Sequence, residues 1–408
     1  MKQLLLYLFA SIFLIAPSTA SGSVTLQGKV TDKATGEGLP GVEIYFPDLK
    51  KGTTTDIDGI YTIENLPVTK ALIQVSFIGY KLIAETIDLA TTTTKDFMLE
   101  EAVMELNEVV VTGLSKSAEK RRTPTPITTI STAELRALNA SNIIDAIASR
   151  PGIDQVTTGP GISKPVIRGL GFNRVVVVND GIRQEGQQWG DEHGIEIDEY
   201  GVNRVEILKG PASLAFGSDA MAGVINFLPA PTLPKGKISG SVLANYQTNA
   251  GLIGGSADLA GNINDYIWDV RYSGKESHAY QNAYDGYVFN SGFKENNLSG
   301  ILGVIKSWGY SNIHFSVYDM TPGIVEGERD SASGKFIKPF AIGGEEGEAI
   351  ATEDDFRSYT PQVPFQKIHH YKAVSNSSFV LGNGSLKTIL GWQQNRRQEY
   401  GEILTPDE

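Results

Sequence analysis

Three textures of hydrophobic and polar positions follow one another along the chain. From residue 24 to about 99 the runs are short and alternate. Val24, Leu26, Gly28 and Val30 share one face of a strand, and Ala71, Ile73, Val75 and Phe77 share a face of another. Gly36, Gly38, Pro40-Gly41 and Asp58-Gly59 interrupt these runs where hairpin turns belong, which predicts a small β-sandwich over residues 21–100. A linker over 101–113 closes on a short apolar strand, Asn107-Glu108-Val109-Val110-Val111-Thr112-Gly113. Residues 114–230 are mixed. Ser131 with Glu134 reads as a capping box, and Ser141 as the cap of a second helix bearing Ile143, Ile144 and Ile147, ended by Arg150-Pro151-Gly152. Val166-Ile167, Val175 to Val178 and Val205 to Leu208 read as strands between Gly-rich loops, so this stretch is a compact α+β domain.

From 231 to 408 the strands lengthen. Ile238, Gly240, Val242, Ala244 and Tyr246 alternate with Ser239, Ser241 and Asn245. Tyr266, Trp268, Val270 and Tyr272 alternate with Asp269, Arg271 and Ser273, and Leu386, Thr388, Leu390 and Trp392 with Lys387, Gly391, Gln393 and Asn395. A membrane barrel and a soluble sandwich both alternate in this way; strands of about ten residues with aromatics near their ends fit the barrel.

The N-terminus adds a compartment. Lys2, the apolar stretch Leu4 to Ala16 and the small residues of Pro17-Ser18-Thr19-Ala20 form a secretory signal peptide over residues 1–20, with cleavage expected after Ala20. No other run reaches eighteen apolar residues, so a membrane could be crossed only by a barrel. The chain of 408 residues has no cysteine, which excludes disulfides, thiolate metal sites and a lipid anchor on cysteine. A net charge of −12 argues against non-specific nucleic-acid binding and identifies no substrate.

Specific motifs go further. Gly28-Lys29-Val30-Thr31-Asp32, Leu39-Pro40-Gly41-Val42, Thr54 to Gly59 and Phe77-Ile78-Gly79-Tyr80-Lys81 together resemble the carboxypeptidase-regulatory-like domain, an accessory without catalysis of its own. Val166-Ile167-Arg168-Gly169, Asn173-Arg174-Val175 and Asn179-Asp180-Gly181 resemble the middle of the plug of TonB-dependent outer-membrane receptors. Arg204 to Ser213 and Phe216 to Asn226 resemble its last strand and turn. In that resemblance the heptapeptide is the TonB box. Its residues Glu108, Val109, Val110, Val111 and Thr112 would add as a strand to the TonB–ExbB–ExbD energy-coupling complex. The implied fold class is mainly β: an Ig-like sandwich, an α+β plug, and the first strands of an antiparallel outer-membrane β-barrel. The implied activity is energised uptake across the outer membrane, in contact with its lipid, of a scarce small molecule or metal complex: an iron-siderophore, another metal complex or cobalamin. The accessory domain would be periplasmic. A non-transporting exported adhesion or signalling receptor is the alternative. A plugged barrel takes roughly 22 strands, and the sequence after Gly236 holds only seven or eight, so the barrel is expected to be incomplete.

Candidate chemistry centres on the loop after Asn179-Asp180-Gly181. Arg183, Gln187, Gln188, Trp189, Asp191, Glu192 and His193 form the ligand-facing loop that the resemblance implies. Asp191, Glu192 and His193 have the donor types for a divalent metal, but adjacent residues cannot easily all face one ion. His193 with Glu196 forms the His-x-x-Glu pair of a zinc carboxypeptidase; no third ligand or catalytic domain accompanies it, so neither enzyme activity, catalytic residues nor a cofactor is expected. Asp56 and Asp58 lack the acidic ladder of a calcium loop, and Gly169 and Gly171 lack the context of a dinucleotide fingerprint. Arg168, Glu206 and Lys209 are expected as plug-to-barrel ion pairs. Arg204, Gly169, Gly210, Gly217 and Gly223 are expected to shape the plug.

Overall fold

The computed structural model describes residues 23–77, 80–101, 109–110, 118–119, 127–187, 189–342, 345–381 and 384–401. The signal peptide and Glu108, Val111 and Thr112 of the heptapeptide lie outside them.

Seven strands build the N-terminal sandwich: β1 (Ser23–Asp32), β2 (Glu43–Phe46), β3 (Lys51–Thr54), β4 (Ile60–Pro67), β5 (Lys70–Ser76), β6 (Ile83–Asp88) and β7 (Phe97–Leu99). One sheet runs β4-β1-β7 and the other β3-β2-β5-β6. The alternating positions Leu26, Val30, Ile44, Phe46, Ile73 and Val75 meet between them as the core. Asp56 Oδ1 accepts from the backbone N–H groups of Asp58 and Ile60 at 3.0 and 2.8 Å, so this acid closes a turn. In the linker, β8 (Val109–Val110) pairs antiparallel with β9 (Ala118–Glu119).

The second domain contains β10 (Ile127–Ser131), α1 (Thr132–Leu138), α2 (Ile143–Ala148), β11 (Ile153–Gly159), β12 (Ile162–Ile167), β13 (Val175–Asn179), β14 (Ile182–Arg183), β15 (Arg204–Lys209) and β16 (Gly223–Leu228). Its sheet runs β10-β15-β16-β13-β14, with β13 parallel to β16, and β11 and β12 form a separate hairpin. The Ser131–Glu134 capping box opens α1 as expected. Asn142 rather than Ser141 caps α2, its side chain accepting from Asp145 N–H at 2.9 Å. The Ser141 hydroxyl instead donates to Gln247 Oε1 at 3.1 Å, so the neighbouring sheet takes the shorter side chain and leaves the cap to the longer one.

The long strands form one antiparallel, seven-stranded sheet. β17 (Ile238–Gln247), β18 (Leu252–Ile263) and β19 (Tyr266–Ser277) are followed by a hairpin of β20 (Gln281–Asn282) and β21 (Gly286–Tyr287). Then come β22 (Phe293–Lys306), β23 (Gly309–Pro322), a second hairpin of β24 (Ile337–Ile342) and β25 (Glu345–Ile350), α3 (Glu353–Phe356), β26 (Phe365–Leu381) and β27 (Gly384–Tyr400). The order is β17-β18-β19-β22-β23-β26-β27. The period-2 pattern holds in register: Val242 lies opposite Ala257, Ala257 opposite Tyr272, Tyr272 opposite Leu298, and Leu298 opposite Val317. This apolar face points away from the plug, with Val242 85% exposed and Leu302 58% exposed, as a lipid-facing wall requires. One end of the sheet has tight turns, including Asn264-Asp265, whose φ values of 53° and 68° are those of a two-residue hairpin. The other end carries the long connections 278–292 and 323–364, which fold on each other through Val288, Phe289, Phe336 and Phe356. Among the described residues no helix is long and apolar enough to cross a membrane, which says nothing about crossing by strands.

Candidate functional site

The inner face of the long sheet is polar, and the plug is held against it by buried charge. Glu196 runs along the wall in the segment after β14, its side chain only 2% exposed. His370 Nδ1 on β26 lies 2.6 Å from Glu196 Oε2, and Arg397 Nη2 on β27 lies 2.9 Å from Oε1. Asn395 Nδ2 donates to the same carboxylate. These three are brought together because His370 and Asn395 are cross-strand partners and Arg397 faces Ile368 one pleat away. Gln184 Nε2 donates to the Glu196 carbonyl at 2.8 Å and fixes its backbone as well. So fully hydrogen-bonded a carboxylate is the condition under which a buried charge persists.

A second anchor lies at Asp180, where Lys372 Nζ sits 2.6 Å and His314 Nδ1 3.3 Å away. Burial pushes this carboxyl up, but the Lys372 ammonium and the His314 hydrogen bond outweigh burial and hold it well below the usual carboxylate range. A third forms where Lys275 Nζ meets Glu199 at 3.2 Å and Glu295 at 3.6 Å. Here burial, reinforced by neighbouring carboxylates, raises Asp198 to about 6 and Glu199 to about 7. Between these anchors lies a cavity of about 90 Å³ lined by Asp180, Gln184, Glu196, Asp198, His314 and His370. Among the described residues, Gln184 Oε1, His314 Nε2 and His370 Nε2 have no partner, so the space suits a few ordered waters.

At the long-loop end, Lys164 holds the loop expected to read ligand. Its Nζ donates to the Trp189 carbonyl at 3.2 Å and to the Gly190 carbonyl, and stands 4.5 Å above the Phe172 ring. Burial lowers this ammonium to about 8. Trp189 is 63% exposed, and Asp191 and Glu192 are exposed beside it. The other sequence candidates lie differently. Arg183 is engaged by Glu185 at 2.7 Å and Asp219 at 2.8 Å, and Gln187 is buried with its amide donating to the Val175 carbonyl at 3.1 Å. Both are held by the plug rather than offered to a ligand. Gln188 lies outside the described residues.

His193 turns to Glu399 at 3.2 Å, away from Asp191 and Glu192, and burial depresses its pKa. No cluster of three His, Cys, Asp or Glu residues suited to a metal occurs among the described residues, which corrects the metal candidacy of Asp191, Glu192 and His193. The two members of His-x-x-Glu, His193 and Glu196, are likewise committed to separate partners.

Within the plug the expected barrel ion pairs are corrected too. Glu206 is fully buried against Arg204 at 3.1 Å, two residues along the same strand, and Lys209 donates to the Pro151 carbonyl at 2.8 Å. Arg168 sits beside Lys209, its backbone at φ 50°. Glu206 and Lys209 are buried in the plug, where short reach favours partners on the same domain, whereas Arg168 is exposed. Gly223 is required by close approach, since a Cβ there would lie 2.5 Å from the Leu208 carbonyl oxygen. Gly169, Gly210 and Gly217 have open space around them and are required by backbone angle alone, with φ of 80°, 97° and 102°.

Sequence reading missed the anchors that matter most: Glu196, Asp180, Lys164, His370, Lys372 and Arg397. The available signal was polar residues on the inward phase of β26 and β27. In particular, His370 is a buried, inward-facing residue of β26.

Comparison with known proteins agrees with this architecture. A profile of the CarboxypepD_reg-like domain matches residues 26–111, and one of the TonB-dependent receptor plug domain matches residues 119–224. An iron-regulated outer membrane virulence protein of Vibrio cholerae is 33% identical over 127 residues, covering 29% of this chain and 19% of that protein. A TonB-dependent receptor of Formosa agariphila is 29% identical over 228 residues, covering 52% of this chain and 21% of the relative. The matches thus span about a fifth of these relatives' lengths. The crystal structure of the siderophore receptor PirA from Acinetobacter baumannii aligns with a TM-score of 0.50 at 13% identity, covering 66% of this chain and 40% of that one, a likeness of fold. A TonB-dependent receptor plug domain, preceded by a CarboxypepD_reg-like domain, is thus seated on the polar face of an antiparallel sheet whose other face is apolar, and the chain carries these two parts in common with the TonB-dependent receptors it resembles.

Proposed function

We propose that the protein takes part in energised uptake of a scarce solute, with a ferric or other metal chelate favoured, through the outer membrane of a Gram-negative cell. The observation that carries this reading is the placement of the plug. Its exposed loop at Trp189 opens toward the long connections, and its first strand, β10, is an edge strand that follows the heptapeptide along the chain. Long loops at one end and tight turns at the other are the extracellular and periplasmic ends of an outer-membrane barrel. Solute would therefore meet Trp189 from outside, and the heptapeptide would be offered inside.

The heptapeptide would add as a strand to the periplasmic TonB partner, main-chain hydrogen bonds supplying affinity. Tension on that strand would first open the β8–β9 pair, then reach Ile127 and strip β10 from β15 one residue pair after another, from Ile127↔Leu208 toward Ser131↔Arg204. Such sequential opening of an edge is the low-force route into a sheet. The Vibrio relative's name, iron-regulated, favours iron among the solutes.

The test is growth of a deletion strain under separate iron, zinc, copper and cobalamin limitation, complemented with the parent gene or with Val110→Pro. Proline removes a backbone donor that strand addition needs. The expected result is one limitation under which only the parent restores growth, while surface binding of the same chelate survives in the variant. Growth restored equally by both genes under every limitation would refute energised uptake and leave an adhesion or signalling role.

A further inference from the structure

The N-terminal sandwich does not hang free of the receptor. On β2 the residues Ile44 and Phe46 point into its core, while Glu43 and Tyr45 point outward toward the long sheet. The turn after β2 makes the contact. Asp48 Oδ1 lies 2.8 Å from Lys387 Nζ near the start of β27, with the aspartate side chain only 13% exposed. Lys50 Nζ stands 4.7 Å above the ring of Tyr310 at the start of β23. Thr232, in the segment between plug and sheet, hydrogen-bonds Tyr45. Val380, near the end of β26, is 3% exposed and joins the sandwich's own hydrophobic core. Four independent contacts of different chemistry thus fix one face of the sandwich on the tight-turn end. They border a cavity of about 720 Å³ whose lining includes Tyr45 and Lys50 of the sandwich, Asp180 and Arg204 of the plug, and Asn376 and Lys387 of the sheet.

We infer that the sandwich is a second closure: its β2 face docks on the tight-turn rim beneath the plug and seals the space through which anything passing the plug must leave. The linker carrying the heptapeptide runs from Glu101, which bridges to Tyr80 of the sandwich, to Ile127 of the plug. One pull on that linker is transmitted to both closures. Desolvation between the sandwich and the long sheet lowers the Lys50 and Lys51 ammonium groups to about 8. Docking and uptake are separate matters, and docking is testable without any solute.

The chain has no cysteine, so introduced thiols report cleanly. In outer membranes of cells producing the full chain, Asp48→Cys with Lys387→Cys is treated with a short bis-maleimide. A cross-linked species that neither single variant gives is expected. Separately, Asn376→Cys is labelled with a bulky maleimide from the periplasmic side. Adding Lys387→Asp, which sets two carboxylates against each other, is expected to speed labelling at least tenfold. Adding Asp48→Lys as well restores an opposite pair and is expected to return the rate to that of Asn376→Cys alone, which rules out simple misfolding. No cross-link above the single variants, or a labelling rate indifferent to the charge reversal, overturns the inference.

Discussion

Replacing Glu196 with alanine tests the strongest of the plug anchors. The carboxylate is 2% exposed and the Arg397 side chain 11%, so both ions lie in the regime where removing one partner leaves the other buried and uncompensated. That loss costs about 3–5 kcal/mol, and His370 and Asn395 lose their acceptor at the same time. At about 1.4 kcal/mol per factor of ten, the segment around Glu196 should open roughly two to three and a half orders of magnitude more often. Two backbone donors report the opening: Gln184 N–H, bonded to the Val177 carbonyl at 2.9 Å, and Ile195 N–H, bonded to the Ser163 carbonyl at 2.9 Å. Amide hydrogen exchange of the detergent-solubilised receptor should show both losing protection by that factor in Glu196→Ala, with amides in the sandwich unchanged. The double variant Glu196→Leu with Arg397→Met should recover most of the loss, because an apolar pair of similar volume replaces a buried ion pair at little cost. Exchange at both amides within threefold of the parent in Glu196→Ala would refute the anchoring role.

Two further outcomes follow from the same geometry. Asp198 and Glu199, raised by burial to about 6 and about 7, keep protons in the folded plug that the unfolded chain releases near pH 4. The stability they contribute is therefore complete below about pH 4 and is lost as pH rises through 6 and 7. The thermal midpoint of the parent plug should fall more between pH 5 and 8 than that of Asp198→Asn with Glu199→Gln, and parallel profiles would disprove the linkage. Asp180, held low, works in the opposite direction, contributing above about pH 4 and losing its contribution in acid outside that window. Lys164→Met should free the Trp189 and Gly190 carbonyls, so limited proteolysis should cut within 186–194 many times faster while the plug sheet stays intact; an unchanged cleavage rate would mean that Lys164 does not pin the loop.

Much of the architecture was legible because periodicity and turn chemistry are local. Leu26, Val30, Ile73 and Val75 alternate in the sequence and meet in the sandwich core, and the Ser131–Glu134 capping box is local enough to be read directly. The outward face of the long sheet follows from period 2, and Leu386, Leu390 and Trp392 fall on it as the alternation requires. The site was less legible. Arg183, Gln187 and His193 lie close to Trp189 in the sequence, but that proximity says nothing about which side chain turns inward; Glu185, Asp219, the Val175 carbonyl and Glu399 decide that.

The sequence by itself determined the order of the three textures, the phase of the long strands β17, β19 and β27, and the glycines whose positive φ no other residue adopts easily, because each depends on neighbours within a few residues. It also carried the motifs of the plug domain. Only the tertiary structure decided which charges are buried together. Glu196 meets His370 and Arg397 across 174 and 201 residues of chain, and Asp48 meets Lys387 across 339. Pairing at such separations depends on the register of β26 against β27 and on how the plug and the sandwich seat against that sheet, and no local pattern encodes either.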